Sequence, residues 1–180
     1  MKNIEKAKQG RKARAAGARF ELRVRKDLES KGWIVDKWSN NVAFGHTNNA
    51  DGSFTLVAWK DLTLKDGKHY PNPVGELVKV KNKFLGPGKP MMLGAGFPDF
   101  IIMTDRCHLI DMHLLDNQIM PGTGLKKVYG LEVKSKGYLD KEEKAKCRWL
   151  LENNIFSNIL VASKGTKRGQ IVYKEFTQDK

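Results

Sequence analysis

Asp99, Glu132 and Lys134 are the residues of this chain whose types and spacing can do chemistry together. Asp99 follows Gly96-Phe97-Pro98 in the apolar segment FPDFIIMT, and Glu132 and Lys134 flank Val133 in a second one, KKVYGLEVKSK. Side chains alternate along a strand, so Glu132 and Lys134 share a face while Val133 turns to the other. Carboxylates projecting from neighbouring strand ends are hard oxygen ligands of the kind magnesium takes, and the Val133 backbone carbonyl is a further candidate ligand. The expected ion is Mg²⁺, with Mn²⁺ as a substitute. Such an ion polarises a phosphoryl group and lowers the pKa of a bound water, while Lys134 can orient or help deprotonate that water and offset charge building on the phosphate. Taken singly, each motif has a bland reading: a turn hydrogen bond for Asp99, and for Glu132 and Lys134 an exposed strand pair of little energetic weight. Together, in this order, they favour metal-dependent phosphodiester cleavage.

These residues need strands and helices to hold them. The segment from residue 17 to 32 places Phe20, Val24 and Leu28 on one helical stripe with Gly32 as a stop, so a first amphipathic helix is expected there. Glu21 lies beside that stripe, able to pair with Arg25 or to reach a site at the helix edge. Residues 33–38 read as a strand. The stretch from 39 to 98 is expected to be largely irregular, with FTLVAWKDL and ELVKVKNKF as short strands between Gly- and Pro-rich turns. Trp38, Trp59 and Phe84, next to Lys37, Lys60, Lys83 and Lys89, read equally well as groove-lining aromatics or as core residues with snorkelling lysines. FPDFIIMT, KKVYGLEVKSK and NIFSNILVASK then read as strands. DKEEKAKCRWLLENN reads as a helix between the last two, packing through Ala145, Trp149 and Leu150 or Leu151, and QIVYKEF adds a final strand. The predicted fold class is α/β, a central mixed sheet flanked by helices, in one domain over residues 17–180 with an insertion at about 39–95.

The chain has 180 residues, 40% of them apolar, and a formal charge of +13. That length supports a hydrophobic core, and charged residues interrupt every apolar run well short of a membrane span. Residues 1–16 read as a basic, flexible arm. Within residues 1–19, seven cations (Lys2, Lys6, Lys8, Arg11, Lys12, Arg14 and Arg19) face only Glu5. Nucleic acid is the leading partner for such a segment, with helix formation once its charges are neutralised; a solvated terminus or acidic lipid headgroups are the alternatives. The N-terminus lacks the apolar stretch of a secretory signal, and Cys107 and Cys147 lack zinc or cluster spacing, so a reducing, cytoplasmic location is expected. His108 and His113 sit in opposite phase on a regular strand, which argues against a zinc pair. No GxxxxGK[ST] loop or serine-nucleophile motif occurs, so no nucleotide cofactor is expected.

Pro98-Asp99 together with Glu132-Val133-Lys134 resembles the signature of the PD-(D/E)XK nuclease superfamily. GARFELRVRKDLESKGWIV, GFPDFIIM and GLEVKSKGYLD look like the opening helix and strand, central hairpin and following loop of its archaeal-type and phage Holliday-junction resolvase branch. The resemblance covers residues 15–38 and 96 to about 163. It implies a restriction-endonuclease-like core, Glu21 as a third acid completing the metal site, Asp99 and Glu132 as principal ligands, and Lys134 as the catalytic lysine. It also implies a homodimer acting on branched or double-stranded DNA, with the third strand or Phe156 and Ile159 as the expected contact patch. Lys8, Arg11, Lys12, Arg14, Arg19, Ser39, Lys81, Lys83, Ser135 and Lys136 are the candidate DNA contacts. About sixty residues separate Trp38 from Asp99, more than that branch has, which leaves duplex, flap or single-stranded DNA as alternative substrates. Where a related nuclease group has Gln, this chain has Glu143, an acid expected either to affect metal loading or to face solvent. A DNA-binding protein without catalysis is the reading from a different class.

Overall fold

The computed structural model describes residues 2–47, 54–62, 74–81, 86–87, 96–104 and 127–177. In chain order these form α1 (Lys2–Ser30), β1 (Trp33–Lys37), β2 (Asn40–Thr47), β3 (Phe54–Val57), a 3₁₀ turn (Trp59–Leu62), β4 (Val74–Lys79), β5 (Phe100–Thr104), β6 (Val128–Val133), α2 (Lys141–Glu152), β7 (Asn158–Lys164) and β8 (Ile171–Glu175).

The main sheet has strand order β1-β5-β6-β7-β8. It is mixed: β6 and β7 pair in parallel, and the other neighbours are antiparallel. The crossover that parallel neighbours require is α2. Alternation along the strands sorts the two faces. Val35, Phe100, Ile102, Tyr129, Leu131, Leu160 and Ala162 meet Phe20, Val24 and Leu28 of α1 in one core. The i, i+4, i+8 spacing of those three α1 residues buries a single stripe, worth about 1.5–3 kcal/mol for each side chain. On the opposite face Ile159 and Phe156 meet Cys147 and Leu150 of α2. An α/β architecture with a central mixed sheet flanked by two helices is therefore what the sequence predicted.

Three differences from expectation concern the elements. α1 begins at Lys2, so the basic segment and the amphipathic segment are one helix, and its residues from Glu5 to Arg19 are all exposed. In the stretch expected to be largely irregular, the two short strands expected there are β3 and β4, and β2, which was not expected, joins them in a second, antiparallel sheet in the order β3-β2-β4. Val42 and Phe44 of β2 and Leu62 of the 3₁₀ turn enter the same core as α2, which ties the insertion to the main body. At that contact a Cβ on Gly75 would strike the Trp149 indole, 2.9 Å from its Cε2, so only glycine lets β4 approach so closely. Finally, Phe156 and Ile159 are 2% and 0% exposed and β7 lies between β6 and β8, so neither those side chains nor the third apolar strand offers the contact patch expected for a dimer. The continuous apolar run from Ile159 to Ala162 is that of a central strand covered on both faces.

Trp38 and Trp59 take the core alternative. Trp38 packs edge-on to Phe156 at 5.1 Å and Trp59 lies 5.0 Å from Phe44. Phe84, Lys83, Lys89, Cys107, His69, His108 and His113 lie outside the described residues.

Candidate active site

Asp99 sits immediately before β5 and Glu132 at the penultimate position of β6, strands that are antiparallel neighbours. The sheet brings their carboxylates together across 33 residues of sequence: the Asp99 amide donates to Glu132 Oε2 at 3.1 Å, and Asp99 Oδ2 accepts from the Val133 amide at 2.9 Å. Both acids therefore point to the α2 face. Val133 packs against the α1 core, as alternation requires. Close packing at the strand mouth fixes the approach. A Cβ on Gly96 would lie 2.7 Å from the Asn40 carbonyl oxygen, and one on Gly130 2.8 Å from Pro98 Cγ.

The electrostatics are those of two acids pressed together out of water. Burial, with the Asp99 charge next, pushes Glu132 up to about 8. Burial also raises Asp99 above the usual carboxylate range, opposed by the Val133 amide bond and reinforced by the charge of Glu21. Lys134, on the same face, lies 3.0 Å from Glu132 Oε1 and donates to Glu143 Oε1. Burial alone would lower the lysine, but the Glu143 hydrogen bond and the Glu132 charge outweigh it and hold the ammonium above its ordinary value. In this arrangement Lys134 is a fixed positive charge rather than a proton acceptor.

Glu143 is held in turn. It occupies the third position of α2, where its amide donates to Asp140 Oδ1 at 2.8 Å and its Oε2 accepts from the Asp140 amide at 3.0 Å, a reciprocal capping box. Its remaining oxygen takes Lys134. The D-x-x-E spacing of Asp140 and Glu143 signals this cap in the sequence; what it does not signal is that the capping acid also faces the lysine.

Glu21 reaches the site from the other side of the sheet. On α1, its Oε2 accepts from Lys37 Nζ at 2.7 Å, and Lys37 also lies 4.1 Å over the Phe100 ring. Lys37 shares the α1 face with Val35 and is registered opposite Phe100, one residue from Asp99. Sequence reasoning placed Lys37 only beside an aromatic; its inward phase on β1 was the available clue. Glu21 thus acts on Asp99 through charge while its carboxylate is bound to Lys37. Among the described residues no group of three His, Cys, Asp or Glu side chains is gathered as a ready metal cluster. The donors present, two adjacent carboxylates with a third within electrostatic reach, are all hard oxygen and suit a magnesium-like ion.

The candidate DNA contacts are dispersed. Lys8, Arg11, Lys12, Arg14 and Arg19 line the exposed part of α1, Ser39 and Lys81 are exposed near the ends of β1 and β4, and Ser135 and Lys136 are exposed just after Lys134. Among the described residues no helix is long and apolar enough to cross a membrane. No family model, curated protein or solved structure matches the chain.

Proposed function

We propose that this chain is a metal-dependent endonuclease that hydrolyses phosphodiester bonds in DNA. The observation that carries the reading is the paired placement of Asp99 and Glu132 at adjoining strand ends, locked by two backbone hydrogen bonds, with Lys134 held against them. Placing two carboxylates in a low-dielectric pocket is costly unless a cation shares the site. Asp99, Glu132 and the Val133 carbonyl would hold a divalent ion, and Glu21 would join once released from Lys37. When bound, Mg²⁺ or Mn²⁺ supplies Lewis-acid polarisation and a water of lowered pKa. The chain's own groups do the rest. Lys134, as an ammonium, offsets charge developing on the phosphoryl oxygens. Glu143 fixes its position from the start of α2, and the exposed cations of α1 supply sequence-independent attraction to the polyanion.

Four-way junctions are the proposed substrate, on the resemblance to the resolvase branch, with a homodimer placing two centres on opposing strands. Duplex, flap or single-stranded DNA is the alternative, since the second sheet has no counterpart in the segments that carry the resemblance. A non-catalytic DNA-binding protein is the second reading. It is favoured by one observation, that Lys37 and Lys134 already pair with Glu21 and Glu132. Incubating the protein with labelled junction, duplex, flap and single-stranded DNA, in Mg²⁺ or EDTA, separates these readings. Magnesium-dependent product with a junction preference supports the first, and no product on any substrate removes the enzyme.

A further inference from the structure

The loop from Lys134 to Asp140 does more than connect β6 to α2. The Gly137 amide donates to the Lys134 carbonyl at 2.8 Å, and Gly137 adopts φ +75°, a left-handed turn. Its α-carbon lies so close over β7 that an added Cβ would sit 3.2 Å from Ser163 Cβ. Two residues on, Leu139 packs into the α2 core. The loop is therefore pinned on both sides of Tyr138, whose side chain is nevertheless 80% exposed. A large aromatic held out of the core by a fixed loop is available to a partner.

Beneath the loop runs a groove of about 470 Å³, with Lys136, Tyr138, Ser163, Gln170 and Lys174 among its lining and no acidic side chain. Its floor is the face of the sheet that carries Glu132. Glu132 is registered with Val161 on β7, and Val161 with Lys174 on β8, so Glu132 and Lys174 lie two strand spacings apart, roughly 10 Å. That is about three base steps of a stacked strand. Lys136 and Lys174 make no ion pair among the described residues, whereas Lys164, also on the rim, extends its ammonium toward the Phe20 ring on the other face.

We infer that this groove binds a single-stranded segment of nucleic acid continuous with the strand being cut, with a base stacked on Tyr138 and phosphates on Lys136 and Lys174. Sequence tolerance follows, because stacking on one aromatic and contacts to phosphate do not read base edges. The identity of the strand rests on the nuclease reading; occupancy of the groove does not.

Fluorescence anisotropy with a labelled oligothymidylate in EDTA tests binding without cleavage. Tyr138→Ala should bind about tenfold more weakly and Tyr138→Phe close to wild type. Reversing Lys136 and Lys174 to Glu should weaken binding and flatten the dependence on log salt by about 1.4 or more. An oligonucleotide bearing 5-iodouracil should photocrosslink to Tyr138. All these side chains are exposed, so circular dichroism should show each variant folded. Wild-type binding by the variants, or crosslinks confined to other segments, would overturn the groove. Equal loss of duplex and single-strand affinity in Tyr138→Ala would overturn the single-strand assignment. Cleavage in Mg²⁺ is scored separately. Groove variants that lose binding while the wild type cuts nothing leave the groove standing without the nuclease. Wild-type cutting with unaffected variants leaves the nuclease standing without the groove.

Discussion

Glu132 accepts a hydrogen bond from the Asp99 backbone amide, so the second acid of the site holds in place the residue that carries the first. Their carboxylates are consequently not independent, and changing either disturbs both position and charge. On the proposed chemistry, Asp99→Asn and Glu132→Gln each lower magnesium-dependent cleavage by about 100-fold or more while DNA affinity in EDTA stays within a few-fold of wild type. Gel assays for product and for mobility shift check the two halves.

Metal-free protein should lose stability as pH rises. Glu132, held up to about 8 by burial and by Asp99, keeps its proton in the folded state where the unfolded chain has released it. The folded state therefore binds more protons between the ordinary glutamate value and about 8, and stability falls through that window. Thermal melts in EDTA across it should show a steeper decline in wild type than in Glu132→Gln, where only Asp99 is still raised by burial. Near pH 8, Mg²⁺ at about a hundred times its Kd should raise the wild-type midpoint by roughly 5–10 °C and leave Glu132→Gln nearly unmoved.

Lys134 and Glu143 make a second testable pair. On the proposed chemistry, Lys134→Ala should abolish most cleavage. Glu143→Gln keeps an acceptor for the lysine but removes one of the charges that raise Glu132, so its cleavage should fall by about tenfold and its rate–pH profile should shift toward lower pH. An unchanged profile would mean that Glu143 serves only as the helix cap.

Gly96 should tolerate no side chain. A Cβ there meets the backbone of Trp38 and Asn40, which cannot move without displacing β1 or β2. Gly96→Ala should cost roughly 2–4 kcal/mol in urea unfolding, and residual folded protein should cut poorly because Phe97-Pro98-Asp99 is pushed from its seat.

Cys147 is fully buried, and burial, followed by the charges of Glu132 and Glu143, pushes its thiol up to about 12. Under native conditions it should resist iodoacetamide and become labelled only in denaturant, as peptide mapping would show.

Much of this is legible in the sequence. The Phe20, Val24, Leu28 stripe, the two acid-bearing strands and the helix between β6 and β7 follow from local periodicity, which survives in the sequence because each element buries one face. β2 was not legible: NNVAFGHT contributes only Val42 and Phe44 to a core, and its remaining residues are those of loops. Lys37 and Glu143 were harder for another reason. Their partners lie 16 and 9 residues away, on elements whose packing, rather than spacing, makes them neighbours. The dimer patch expected at Phe156 and Ile159 is absent because α2, with Val42, Phe44 and Leu62 from the second sheet and its turn, covers both side chains, a contact that no local pattern encodes.

The exposed part of α1, Glu5 to Arg19, extends for about 21 Å at the helical rise, with its cations on a rod that the core does not touch. Laid along a duplex, that length corresponds to about six base pairs. On the proposed reading, the footprint on DNA should therefore be set by the helix as much as by the body that carries Asp99 and Glu132, and nuclease protection should report a covered segment longer than the sheet alone could span.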